Sequence, residues 1–195
     1  MRISCVKNIS AALAAVILLL CAASPSAAKP SSNINVLVGT RKMVDSGWQT
    51  NGTVEAYTLG VDFDFTKDDW PVSLNVGLLG TRDSASKVNL DTNLDVQEIA
   101  LGARMYLGDG RGFVRPYVGT GLEIMSVALG VNEGAGARNS NSMTTGYFVN
   151  VGAFLNFLGV VNVGLDWRWI GGTNPGNEMS KMDYYQGSFI IGMSL

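Results

Sequence analysis

Apolar and polar residues take turns along this chain in eight separate stretches. From Tyr57 to Phe65, Tyr57, Leu59, Val61, Phe63 and Phe65 alternate with Thr58, Gly60, Asp62 and Asp64. Successive side chains of a β-strand point to opposite faces, so a segment of this kind carries one greasy face and one charged face. Thr53–Phe65 is the second stretch. The others are Ile34–Met43, Pro71–Arg82, Asn93–Leu107, Phe113–Ser126, Thr144–Phe157, Val161–Ile170 and Tyr184–Leu195. Leu37 interrupts the alternation of the first. No helical period competes in this region, and several stretches reach the roughly 9–11 residues that a tilted membrane strand needs.

The links between the stretches alternate in length. Val44–Gly52, Asp83–Thr92, Val127–Met143 and Gly171–Asp183 are long and rich in Gly, Ser, Asn and Asp. Thr66–Trp70, Gly108–Gly112 and Leu158–Val160 are tight, and Lys67-Asp68-Asp69 and the Gly108–Gly112 run carry turn chemistry. Strict long–short alternation suits an even-stranded antiparallel barrel with both termini on the short-turn side. Bacterial outer-membrane barrels are built this way, with short periplasmic turns and longer extracellular loops. The pattern predicts an all-β fold, an eight-stranded antiparallel up-and-down transmembrane β-barrel occupying 29–195, with both termini periplasmic.

Alternation gives two faces without saying which is inside. The polar face carries Gly60, Gly77, Gly102, Gly119, Gly121, Gly146, Gly152, Gly164 and Gly192, and small residues suit the crowded interior of an eight-stranded barrel. The face rich in Val, Leu, Phe and Trp then meets lipid, with Tyr57, Trp70, Trp167 and Trp169 available for interfacial girdles. A soluble ligand-carrying barrel would reverse the faces and leave this glycine pointing outward. The interior acquires five acids, Asp62, Asp64, Glu98, Glu123 and Asp166, against four arginines, Arg41, Arg104, Arg115 and Arg168. Buried charges are costly unless paired, and the planar fork of arginine satisfies carboxylates bidentately. The nine therefore read as a salt-bridged plug; the rival reading is a polar path admitting water and small ions. Glu123 and Arg115 share a strand and a face and are expected to join one network.

A chain of 195 residues suffices for one domain with a sizeable core. Its start is read as processing signal rather than fold. Arg2 and Lys7 precede the apolar run Ile9–Ala23, and Ser26-Ala27-Ala28 offers small residues for cleavage, so 1–28 is expected to be removed. Both cysteines, Cys5 and Cys21, fall inside that signal, and Leu18-Leu19-Leu20 lacks the small residue a lipoprotein signal places before its cysteine. The mature chain would thus have no disulfide or thiolate metal site. It would carry twelve basic against sixteen acidic residues, a net charge of −4, which gives no electrostatic footprint for nucleic acid.

Candidate chemistry is sparse. The chain has no histidine, the usual base for a serine nucleophile or an activated water, so no enzyme activity and no catalytic residue are expected. Ser126, Ser140 and Ser142 then read as loop residues, and the Asp62/Asp64 pair as structural partners of arginine. Asp91-x-Asn93-x-Asp95 opens like a calcium loop, but Val96 stands at the glycine position and Gly102 at the distal acid, so the motif fails. Gly119-x-Gly121 lies within a strand and lacks the helix of a nucleotide site. Asn51-Gly52-Thr53 matches a glycosylation sequon and reads as turn chemistry. Neither cofactor nor metal is expected.

At Arg115-Pro116-Tyr117-Val118-Gly119-Thr120-Gly121-Leu122 the chain resembles the outer-membrane β-barrel domain family, which includes the OmpA transmembrane domain, OmpX and the opacity-type proteins. Only this strand is motif-like, although the resemblance extends over roughly Ile34–Leu195. It implies insertion by the outer-membrane assembly machinery. Such chains usually end in Phe or Trp where this one has Leu195, although Tyr185, Phe189, Ile191 and Met193 before it suit the assembly signal. No wall-binding domain is expected after the barrel. The family includes adhesins, stabilisers, pores and enzymes, and fold alone does not choose among them. The expectation is a monomeric, non-enzymatic protein of the bacterial outer membrane, in contact with its lipid, contributing to envelope structure and displaying surface loops. The alternative is a narrow channel for small solutes or ions.

Overall fold

The structure, a computed structural model, describes residues 32–51, 55–67, 70–87, 90–107, 113–133, 136–176 and 179–195. The expected signal 1–28, Gly52 and Thr53 of the sequon, Asp68-Asp69 and the turn residues from Gly108 to Gly112 lie outside these. Eight strands follow in order: β1 (Ser32–Met43), β2 (Glu55–Phe65), β3 (Ser73–Lys87), β4 (Leu90–Tyr106), β5 (Val114–Glu133), β6 (Gly136–Phe157), β7 (Val161–Gly171) and β8 (Tyr184–Ser194). A short helix, α1 (Ser46–Asn51), stands between β1 and β2. Each strand pairs antiparallel with the next, and β8 returns to β1 so that the sheet closes on itself. Closure satisfies the backbone groups that an open edge would expose to lipid.

The alternation of faces runs without a break through the barrel wall. In β2 the lumen receives Thr58, Gly60, Asp62 and Asp64, while Tyr57 and Phe65 are exposed on the outside. Leu37 does not disturb β1: it keeps its register, enters the lumen, and packs with Tyr117, Phe154 and Ile190. The outward apolar belt runs over eight residue steps in β2, Tyr57 to Phe65, and ten in β5, Val114 to Ile124. At about 3.4 Å per residue and a tilt of about 35–45°, these stretches span about 19–28 Å of membrane normal, which brackets the ~25 Å apolar band of outer-membrane barrels.

Two of the expected long loops are not loops. Most of Asp83–Thr92 belongs to β3 and β4, and most of Val127–Met143 to β5 and β6. Leu90 pairs with Lys87 and Glu133 with Gly136 at the tips of these hairpins. The cause is an inversion of the pattern, not its loss. In the wall the outward positions are apolar, for example Ile99, Leu101, Leu122 and Ile124, and the inward ones polar, for example Glu98 and Glu123. Past Gln97 in β4 and Ser126 in β5 the outward residues are Asp95, Asn93 and Asp91, whereas Leu94, Val96 and Val127 turn inward and are buried. The four residues Tyr57, Arg82, Asp95 and Ala128 lie side by side across β2–β5, so the change falls at one level around this side of the barrel. The strands continue past this level, and the polarity of their two faces exchanges.

Candidate functional site

The lumen is filled in layers. All nine charged residues expected on the inner face are buried there, each at 5 % exposure or less. At the end where β1 starts and β8 finishes lies an amide and hydroxyl layer. Asn162 Nδ2 donates to Asn33 Oδ1 (3.0 Å), Ser194 Oγ donates to the same oxygen (2.8 Å), and Asn156 Nδ2 donates to Asn162 Oδ1 (2.7 Å). Arg115 sits at this level, its Nη1 3.4 Å from Ser194 Oγ. Glu123 lies four lumen-facing positions further along β5, so the two do not pair with each other. Strand and face are shared, but the rise of eight residues, about 27 Å along the strand, separates the pair.

The next layer is built on Arg104. Its guanidinium bridges two carboxylates, with Nη2 2.7 Å from Asp62 Oδ2 and Nη1 on Asp64 Oδ2. Remaining lone pairs are met by Asn35 Nδ2 on Asp62 Oδ1 (2.7 Å), Asn75 Nδ2 on Asp64 Oδ1 (2.9 Å) and the Tyr106 hydroxyl on Asp64 Oδ2 (2.8 Å). The Tyr117 ring lies under the same guanidinium at 4.2 Å. Asp166 stands nearby without an arginine partner among the described residues; its Oδ2 accepts from Tyr117 Oη and Asn150 Nδ2, both at 2.7 Å. The aspartate pair is therefore clamped by one arginine and its hydrogen-bond donors.

Above it, Arg41 grips Glu98 with both terminal nitrogens, Nη2 at 2.9 Å from Oε2 and Nη1 on Oε1. Its third nitrogen, Nε, donates to Thr58 Oγ1 at 3.0 Å, and Gln186 Oε1 accepts a further bond from Nη2 at 3.0 Å. Tyr184 places its ring under Arg41 at 4.0 Å and its hydroxyl 2.9 Å from Glu98 Oε2 and 3.3 Å from Glu123 Oε1. Through that hydroxyl Glu123 joins the cluster. Arg168 stands over the Phe148 ring at 4.7 Å.

Glycine makes room for the rings in this interior. A Cβ at Gly102 or Gly121 would come within 2.7 Å of the Phe148 ring, and one at Gly152 within 2.4 Å of the Tyr117 hydroxyl. The expected small residues are thus seats for large ones on neighbouring strands. The other end of the lumen is closed by an apolar cluster of Met43, Trp48, Leu94, Val96, Met125, Val127, Phe148, Ile170, Met182 and Tyr184. Trp48 comes from α1, and its indole nitrogen donates to the Lys181 carbonyl at 2.8 Å. The β7–β8 link is tied down by Asp183, whose Oδ1 accepts from Thr173 N (3.0 Å) and Thr173 Oγ1 (2.8 Å). Thr173 Oγ1 in turn accepts from Met182 N at 2.7 Å.

A family model described as the outer membrane protein beta-barrel domain matches residues 12–195. The chain belongs to this family. Among solved structures it is similar to the N-terminal β-barrel domain of Pseudomonas aeruginosa OprF, at 15 % identity and a TM-score of 0.52, covering 84 % of this chain and 97 % of that one. It is also similar to Neisserial surface protein A (14 % identity, TM-score 0.53, 83 % and 93 % covered) and to a major outer membrane protein from Thermus thermophilus (10 % identity, TM-score 0.52, 84 % and 98 % covered). These likenesses concern the fold. No curated protein matches the chain.

As a member of this family the protein resides in the bacterial outer membrane with its apolar belt in lipid. The four expected girdle residues all lie on the outer wall or at its edge, with Tyr57, Trp70 and Trp167 exposed and Trp169 half-buried. They divide by level. Trp169 packs edge-on against Tyr147 (5.3 Å), and Trp167 lies beside Tyr185 (6.0 Å), towards the long-loop end with Tyr57. Trp70 precedes β3 at the opposite end, where Phe113 meets Phe157 edge-on at 5.3 Å.

Two groups of lumen residues escape a reading by residue type. Phe148, Phe154, Ile170 and Ile190 are apolar but inward and fully buried. Parity would have found them: Phe148 and Phe154 fall on the even positions of β6 with Gly146, Asn150, Gly152 and Asn156. Trp48 and Met182 are supplied by links, and no alternation announces them. Ser126, Ser140 and Ser142, read as loop residues, stand on β5 and β6, with Ser142 Oγ donating to the Pro175 carbonyl. Asp91, Asn93 and Asp95 occupy one outward face of β4, where Asp95 pairs with Arg82 at 2.7 Å; their alternation on a strand gives no loop around a cation.

Proposed function

We propose that this protein is a non-enzymatic structural barrel of the outer membrane, acting as a monomer, with both termini in the periplasm and the extended β3–β4 and β5–β6 hairpins displayed at the cell surface. In this reading its strands are inserted by the outer-membrane assembly machinery, and Tyr57, Trp70, Trp167 and Trp169 anchor it at the two lipid interfaces. Among the nine lumen charges, the Arg41–Glu98 pair and Arg104 with Asp62 and Asp64 hold the barrel rigid. One observation carries the reading. Two stacked arginine–carboxylate layers stand in the lumen, and a buried apolar cluster around Trp48, Met125, Phe148 and Met182 lies beyond them. An ion crossing this path would have to part buried pairs and then traverse an apolar layer, which costs far more than passage through a hydrated pore. The absence of histidine from the sequence supports the non-enzymatic part.

A narrow channel is the second reading. It is favoured by Arg168, Glu123 and Asp166, whose incomplete pairing leaves a polar level in the lumen. Planar-bilayer recording of the refolded chain separates the two. The structural reading predicts no steady unitary current; currents altered by Arg104 or Arg168 substitution would replace it with the channel. Protease added to intact cells tests orientation: cutting at the hairpin tips near Lys87–Leu90 or Glu133–Gly136 is expected, and cutting at the short turns would reverse the topology.

A further inference from the structure

The lipid-facing wall is hollowed on one side. Across β5–β8 a groove of about 780 Å³ opens into the apolar belt. Pro116, Val118, Ala153 and Gly187 point outward there and are nevertheless half-buried, whereas Leu165, Trp167 and Phe189 beside them stand out at 66 %, 55 % and 49 % exposure. The register explains the relief. Pro116, Ala153, Leu165 and Phe189 lie side by side across the four strands, and Val118, Val151, Trp167 and Gly187 form the next outward row. Each row sets short side chains beside long ones. Trp167 lies against Tyr185, 6.0 Å away and nearer the long-loop end, which leaves the space below it open. Asp166 and Ser188 border the groove but turn their polar atoms into the lumen, where Asp166 meets Tyr117 and Asn150 and Ser188 accepts from Gln186.

We propose that this groove seats one acyl chain of a phospholipid from the periplasmic leaflet and holds it longer than the rest of the wall holds its lipid. The choice of leaflet rests on the orientation proposed above, with the short turns in the periplasm. Leu165 stands four residues into β7, which at about 3.4 Å per residue and a tilt of about 35–45° is about 10–11 Å of membrane normal, near the middle of a ~25 Å apolar band. Leu107, at the other end of the groove, lies just past the end of β4 on the short-turn side, its N–H donating to the Pro116 carbonyl at 2.8 Å. The groove therefore runs from the bilayer middle to the short-turn face, within one leaflet. Its volume falls in the range of about 300–1,000 Å³ usual for small-molecule sites. A chain lying on the convex wall meets protein on one side, but a chain in the groove also meets Trp167, Leu165 and Phe189 at its flanks, and such contacts are individually small and collectively large. With hydrocarbon lining and no polar side chain aimed into it among the described residues, the groove selects by chain shape and not by headgroup. A second copy fits it poorly, because a two-fold pair with this face on its axis would set hollow against hollow.

The test is photo-crosslinking of the refolded chain in vesicles containing a phospholipid with a diazirine in one acyl chain, with labelled residues mapped by mass spectrometry. Ala153 and Phe189 are expected to take several-fold more label than Leu74 and Leu78, which are exposed on β3 in the same half of the wall. Ethanolamine, glycerol and choline headgroups should give equal yields. Gly187→Leu should bring the groove label down to the level of β3. A Cβ at this position meets the Trp167 ring only at 3.9 Å, an ordinary contact, so the barrel accepts the side chain while the groove fills. Label spread evenly around the wall, a pattern unchanged by Gly187→Leu, a headgroup-dependent yield, or a crosslink between two chains at this face overturns the proposal. So does preferential groove label from a diazirine-bearing lipid A when both lipids are present. Even label together with protease cutting at the hairpin tips of intact cells fails the groove alone, whereas groove label together with cutting at the short turns fails the orientation and with it the assignment to the periplasmic leaflet.

Discussion

Replacing Glu98 by alanine tests whether the lumen is a low-dielectric interior. Glu98 accepts both terminal nitrogens of Arg41 and the Tyr184 hydroxyl, and both side chains of the ion pair are completely buried. Removing one member of a buried pair strands the other charge, which costs about 3–5 kcal/mol. Arg41 would keep Thr58 and Gln186 as acceptors and the Tyr184 ring beneath it, so the low end, about 3 kcal/mol, is expected. The exposed Arg82–Asp95 pair supplies the control, and Arg82→Ala should cost about 0–1 kcal/mol. The double variant Arg41→Met/Glu98→Leu removes both charges and should recover most of the loss, because apolar replacement of a buried pair is often neutral or stabilising. Equilibrium unfolding in urea from lipid vesicles, followed by tryptophan emission and by gel mobility of the folded form, reads all three. If Glu98→Ala costs no more than Arg82→Ala, the lumen is wet enough to solvate a lone guanidinium, and the description of the charges as a sealed plug is wrong.

Trp48→Ala should remove the centre of the apolar cap and cost about 3 kcal/mol, at the low end for a buried aromatic because α1 can settle into the space; the same unfolding assay measures it, and a water-soluble quencher should reach none of the Trp48 emission in the parent protein. Leu165→Arg, in the middle of β7 on the lipid face, should cost about 2–4 kcal/mol, whereas Ala128→Arg, outward on β5 where the pattern changes, should cost about 0–1 kcal/mol. Equal costs would mean that the inversion does not mark the lipid boundary. Gly121→Val should drive a side chain into the Phe148 ring and the Leu101 carbonyl and cost at least 1–3 kcal/mol, roughly the cost of overpacking a filled core, seen as a lower folded yield in vesicles.

The barrel, its strand number and the identity of its inner face are legible in the chain because one physical rule, a period of two between unlike solvents, governs every strand of the wall. That rule also explains where reading by residue type goes astray. It equates polar with inward, and this holds only while lipid is outside. Past Gln97 and Ser126 the outward residues become polar, Leu94, Val96 and Val127 turn inward, and a pattern with reversed polarity looks like the end of a strand. The same equation hides Phe148 and Phe154, whose places follow from parity with Asn150 and Asn156 and from the glycines opposite them. The pairings inside the lumen are a different matter. Arg104 meets Asp64 and Asp62 across 40 and 42 residues of chain, and Arg41 meets Glu98 across 57, through a register that backbone pairing sets and local composition does not encode. Alternation along the strands foretold five acids and four arginines on one face; only the register decides that Arg104 holds two carboxylates, Arg41 one, and that Arg168 has no direct bond to a carboxylate. An interior with nearly matched totals but unmatched neighbours thus leaves one guanidinium, that of Arg168, over the Phe148 ring instead of in an ion pair among the described residues.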